Sequence, residues 1–131
     1  MHHRVIWTSL QRWLDIMKET TNMAITINIY YTGAKGSAVA FAEEMVASGI
    51  VSEIRGKEGN LRYEYFYPMD DPETVLLIDQ WSDQSALDEH HHSETMEKIM
   101  KLRYKYDLHM KVERFVSDEI GNTTDQEYIR K

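Results

Sequence analysis

The chain alternates between two hydrophobic periods. In the run AITINIYYT, Ile25, Ile27 and Ile29 fall on one side and Thr26, Asn28 and Tyr30 on the other, which is the two-residue period of a β-strand. Gly33 ends that run, and from Lys35 the period lengthens to that of a helix. Val39, Ala42, Val46, Ile50 and Ile54 form one stripe, with Phe41 and Met45 beside it. Gly49 lies inside the stripe and costs about 1 kcal/mol relative to alanine, so a kink or break is expected there. Gly56 and Gly59 are natural terminators. Residues 61–67 alternate again: Leu61, Tyr63, Tyr65 and Tyr67 oppose Arg62, Glu64 and Phe66, until Pro68 and the Asp70-Asp71-Pro72 turn. In residues 74–81, Val75 and Leu77 face one way and Leu76 and Ile78 the other, and a strand apolar on both sides needs cover on both. Ser82 or Asp83 can cap a helix whose apolar side begins at Leu87 and continues through Met96, Ile99, Met100 and Tyr104. A final strand is expected over residues 109–117.

The order of elements, β-α-β-β-α-β over residues 23–117, is the split βαβ or ferredoxin-like α+β arrangement. Its first and third strands are central and both helical segments cover one sheet face. The other face carries Leu76 and Ile78, or their neighbours, together with several tyrosines. Large wet apolar faces are rare, and two such sheets packed across a two-fold axis bury each other. The expectation is therefore a homodimer built as an α+β barrel, with Tyr63, Tyr65 and Tyr67 lining the barrel-facing side or the dimer seam. Residues 1–22 read as an N-terminal extension. Ile6, Leu10, Trp13, Leu14 and Met17 have helical spacing there, and Met23 is an alternative start. Residues 118–131 form a polar tail.

Composition removes several functions. A net charge of −7, from 22 acidic and 15 basic residues, leaves no basic face for nucleic acid or an anionic membrane surface. With no cysteine, disulfides, thiolate nucleophiles and cysteine-bound metals are excluded. No apolar run approaches the roughly 20 residues of a membrane span, and the N-terminal residues lack the apolar core of a secretory signal. A cytoplasmic location is expected.

The run GNLRYEYFYPMDDPETVLLIDQWSDQSALDEHHHS, residues 59–93, resembles the antibiotic biosynthesis monooxygenase family of dimeric α+β barrel proteins. The resemblance rests on Gly59-Asn60 before the Tyr63/Tyr65 strand, the D-D-P turn, the acid Asp79 two residues before Trp81, and Ala86-Leu87-Asp88-Glu89-His90. It implies cofactor-free oxygenation of a small aromatic or quinol-like substrate by O2, although the family also holds heme-degrading enzymes and an isomerase. Two positions depart from the pattern: Thr95 stands where many members have a second histidine, and Asp79 where glutamate is common. Asn28 matches an asparagine of the heme-degrading branch, but that branch's helical histidine falls near Met100, which disfavours heme.

His90 is the leading catalytic candidate, because a neutral imidazole accepts a proton near pH 7; a helix-capping or packing role is the alternative. Asp79 is placed to orient His90 or a substrate hydroxyl, or to pair with a basic residue. Asn28 is a candidate donor to a developing oxyanion, or simply a buried hydrogen-bonded asparagine. Trp81, Tyr30, Tyr63, Tyr65 and Asn60 are candidate substrate-binding residues, against core and loop roles for the same side chains. His90, His91 and His92 are consecutive on a helix and point about 100° apart, so no metal site is expected. The functional expectation is a cofactor-independent monooxygenase with no cofactor and a small-molecule substrate. The alternatives are an isomerase or ligand-binding dimeric module, for which Arg62 or Arg103 would hold a phosphate, and a non-enzymatic docking domain.

Overall fold

The computed structural model describes residues 9–12, 23–118 and 123–131. Strands β1 (Ile25–Thr32), β2 (Asn60–Phe66), β3 (Thr74–Trp81) and β4 (His109–Val116) form one antiparallel sheet in the order β2-β3-β1-β4. Helices α1 (Ser37–Ala47) and α2 (Ile50–Arg55) connect β1 to β2, and α3 (Gln84–His91) and α4 (Glu94–Lys105) connect β3 to β4. This is the expected ferredoxin-like α+β topology, with the two most apolar strands in the middle. Gly49, at φ 85°, breaks the first helical segment into α1 and α2, a backbone conformation that glycine adopts without strain. Among the described residues no helix is long and apolar enough to cross a membrane.

One face of the sheet meets the helices. Ile25, Ile29 and Tyr31 of β1, Val75, Leu77 and Trp81 of β3 and Tyr63 of β2 pack there against Phe41, Met45, Ile54, Leu87 and Ile99. Strand parity fixes the other face: Asn28 pairs with Ile78 and Tyr30 with Leu76, and Phe66 and Phe115 join them. That second face is only half covered by the described residues.

Three details of the sequence reading change. The buried line of α1 is Ala38, Phe41, Ala42 and Met45, while Val46 is exposed. Helix α4 turns Thr95 and Ile99 inward and leaves Met100 and Tyr104 in solvent. On β2 the register shifts between Asn60 and Arg62, and this bulge turns Leu61 out to solvent. Tyr63 then lies opposite Asp79 and Tyr65 opposite Leu77 on the helix side, not the barrel-facing side, and Tyr67 follows the end of the strand. Of the expected N-terminal helix, residues 9–12 are helical with Leu10 exposed, and the rest lies outside the described residues. In the tail, Thr123–Tyr128 forms a short 3-10 helix.

Candidate active site

The alternation of β3 carries one polar residue into the core. Val75, Leu77, Asp79 and Trp81 all turn toward the helices, so the Asp79 carboxyl sits among apolar side chains and is only 6% exposed. It lines a cavity of about 340 Å³ between the sheet and helices α3 and α4, together with Ile29, Tyr63, Leu87, His90 and Arg103. Arg114 of β4 and the exposed His91 lie at the margin of this cavity. The volume falls at the small end of ligand pockets.

His90 reaches the site through a firmly started helix. The Asp83 carboxylate accepts the Ala86 amide at 2.9 Å and caps α3. From that start, Leu87 and His90, three residues apart, both turn inward. The imidazole is 3% exposed and stacks on Trp81 with ring centroids 4.8 Å apart and planes 25° apart. Behind this stack is a second, smaller cavity of about 270 Å³, lined by Lys57, Ser93, Trp81 and His90 among others. Lys57, in the turn after α2, places Nζ 2.9 Å from His90 Nδ1 and donates to Ser93 Oγ at 2.9 Å. His90 thus forms a wall shared by two cavities.

Burial sets the electrostatics. Loss of water pushes the Asp79 carboxyl up to about 7, opposed by the Trp81 indole N–H and the cations Arg103 and Lys57. The Trp81 indole N–H favours the carboxylate, although neither Trp81 Nε1 nor Asp79 Oδ1 has a hydrogen-bond partner among the described residues. His90 moves the opposite way, down to about 4, first through burial and then through the positive charge of Lys57. Arg103 donates from Nε to the Tyr31 hydroxyl at 3.1 Å, with its guanidinium over the Tyr31 ring. Burial raises the Tyr31 and Tyr63 phenols, so both stay protonated. At neutral pH the larger cavity therefore offers a carboxyl close to half ionisation, a neutral imidazole and fixed phenol and guanidinium donors. Such a set can move a proton and hold a developing oxyanion.

The residues singled out from sequence separate into four groups. Asp79, His90 and Tyr63 line the larger cavity, and Trp81 backs His90 from the smaller one. Tyr65 packs against the core behind Tyr63, their rings 5.9 Å apart edge to face. Asn60 is spent on the bulge, its amide donating to the Arg62 and Gln80 carbonyls at 3.4 Å each. Asn28 and Tyr30 belong to the opposite sheet face, because their parity on β1 is that of Thr26 and not of the isoleucines. The sheet thus stands between them and His90. The three histidines diverge: His90 is buried, His91 is at the rim, and His92 contacts the Asp88 carbonyl. Among the described residues no group of three or more histidine, aspartate or glutamate side chains is arranged to hold a metal.

Lys57 and Tyr31 were not among the sequence candidates, and Arg103 was considered only for phosphate. Tyr31 extends the inward period of Ile25, Ile27 and Ile29, and Arg103 lies four residues after the buried Ile99, so both have a periodic signal. Lys57 occupies an irregular turn between Gly56 and Gly59 and has none.

Residues 24–102 match the model of the antibiotic biosynthesis monooxygenase family. No curated protein matches the chain. Among solved structures, a Pseudomonas aeruginosa protein is similar at 24% identity and TM-score 0.63, covering 75% of this chain and 97% of its own. A conserved Methanosarcina mazei protein is similar at 18% identity and TM-score 0.64, with 77% and 99% covered. SnoaB, a cofactor-independent oxygenase from Streptomyces nogalater, is similar at 13% identity and TM-score 0.62, with 74% and 95% covered.

Proposed function

Because this chain belongs to the antibiotic biosynthesis monooxygenase family, we propose that it oxidises a small aromatic or quinol-like substrate with O2 in the larger cavity, as a homodimer and without a cofactor. The observation that carries this reading is Asp79, a buried carboxyl with one unpartnered oxygen, which lines the larger cavity together with Tyr63. The substrate hydroxyl gives its proton to the Asp79 carboxylate. The anion passes one electron to O2, and the two radicals combine at carbon. Loss of water from the peroxide leaves a carbonyl, so a methylene and O2 become a ketone and one water. The protein contributes the proton acceptor, donors for the oxyanion and exclusion of bulk water. Asp79 is the better acceptor than His90, because its pKa of about 7 matches neutral pH whereas that of His90 is about 4.

Oxygen uptake by metal-stripped protein, with anthrones, naphthols and quinols, tests the reading. We expect uptake whose kcat/KM rises with pH through about 7, and a loss of roughly 100-fold or more in Asp79→Asn. A rising limb near pH 4 would return the acceptor role to His90. Absence of uptake with all three classes would remove the oxygenase reading. A second reading, isomerisation of a small acidic substrate, is favoured by Arg103 and Arg114 at the same cavity, which can hold an anionic group while Asp79 moves the proton.

A further inference from the structure

The contacts of His90 reach beyond this reading and assign a function to a residue that has none in it. Its Nδ1 lies 2.9 Å from Lys57 Nζ. The Ser93 hydroxyl donates its proton to the His90 carbonyl at 2.6 Å, so toward Lys57 it can only accept, and it does so at 2.9 Å. Lys57 is therefore oriented with its protons directed at Ser93 Oγ and His90 Nδ1. An ammonium has three donors and no acceptor, so Nδ1 must present its lone pair. The neutral ring then carries its proton on Nε2. Lys57 and Ser93 both line the smaller cavity and neither lines the larger one, whereas His90 lines both. The Nδ1 edge is thus engaged on the Lys57 side, and Nε2 is the nitrogen left for the larger cavity. Stacking on Trp81 fixes the ring plane and opposes a flip that would exchange the two nitrogens.

We infer that Lys57 is a positioning residue that holds His90 in its Nε2–H tautomer, making the imidazole a hydrogen-bond donor to the substrate oxygen and not a base. The inference rests on the larger cavity being the substrate site. Lys57 itself touches no substrate.

Long-range proton–nitrogen correlation spectra of the histidine-labelled full chain at pH 7.5 test it, with His90 assigned by loss of its signals in His90→Gln. The wild type should show Nδ1 as the unprotonated nitrogen and Nε2 as the protonated one. Lys57→Met should lose that preference, and Lys57→Arg, which keeps a cationic donor, should restore it. With a substrate that supports oxygen uptake, Lys57→Met should lower kcat about 10-fold, less than the roughly 100-fold or more lost when a proton-transfer or oxyanion group is itself removed, with KM changed far less. A wild type protonated on Nδ1 would overturn the inference, and so would a Lys57→Met protein with the wild-type tautomer. If Lys57→Met does not fold, the wild-type and Lys57→Arg spectra decide the same question. A tautomer that follows Lys57 in a protein that consumes no oxygen would uphold the lock and sink the oxygenase reading, so the two fail separately.

Discussion

Asp79 and His90 occupy the same cavity, and their ionisations are displaced in opposite directions with opposite consequences for stability. The Asp79 carboxyl rises from 3.8 to about 7 in the folded chain. A raised acid pKa means that the folded state binds the proton more tightly than the unfolded one. The stability linked to it is present below pH 3.8 and is lost as pH climbs through about 7. At about 1.4 kcal/mol per unit, the loss by pH 8 is on the order of 4 kcal/mol. Asp79→Asn, which keeps the shape without the charge, should therefore gain several kcal/mol over wild type in urea unfolding at pH 8 and almost nothing at pH 4. A gain independent of pH would show that Asp79 carries no such cost. His90 is the mirror case, falling from 6.5 to about 4. Its neutral form is the one that the fold accepts, so stability is lost as pH drops from 6.5 toward 4, by roughly 3 kcal/mol. A fold that retains both groups accepts a cost near neutrality at Asp79, as expected of groups kept for chemistry and not for stability.

At the level of elements, the site depends on the junction between β2 and α3. Gly59, at φ 86°, accepts the Ser82 amide at 2.8 Å, and a Cβ added there would fall 2.5 Å from the Ala86 Cβ and 2.9 Å from Ser82 Oγ. The backbone of one element therefore touches the first turn of the helix that carries His90. Gly59→Ala should destabilise the chain by roughly 1–3 kcal/mol through strain and overpacking. It should also shift the His90 resonances, because α3 must move away from β2; unchanged His90 signals with full stability would contradict this packing. The same level shows what periodicity can and cannot reveal. Isoleucine alternation in β1, the Gly49 break and the Asp83 cap were legible because each is a local rule. Parity already separated Asn28 and Tyr30 from the isoleucine face that meets the helices. The inward turn of Tyr63 depends on pairing with Asp79 across a bulge at Asn60, which no single strand records. Lys57 meets His90 across 33 residues from an irregular turn, and contacts of that kind leave no mark on either segment alone.

At the scale of the molecule, the described residues leave the second sheet face half covered. Tyr30, Leu76 and Ile78 lie there partly buried, Phe66 is 37% and Phe115 50% exposed, and Asn28 Oδ1 is enclosed without a hydrogen-bond partner. Strand β4 adds exposed Met110, Val112 and Val116 on the other side of the same edge. Lys111, Glu113, Arg62 and Glu64 share the parity of the apolar residues on the open face, so charges of both signs accompany its centre. A second sheet packed about 10 Å away across a two-fold axis would bury that centre and pair the charges. Sedimentation at micromolar concentrations should find the wild type dimeric, and Ile78→Lys, which sets a cation at the middle of the seam, should be monomeric with its helical content intact. A monomeric wild type would leave the half-covered face without this explanation. The open face and the cavity lie on opposite sides of the sheet. Oxygen uptake that survives in monomeric Ile78→Lys would show that the second copy covers the face without building the site. Uptake lost with the dimer, while the His90 tautomer is unchanged, would mean that the site works only when the second copy is in place.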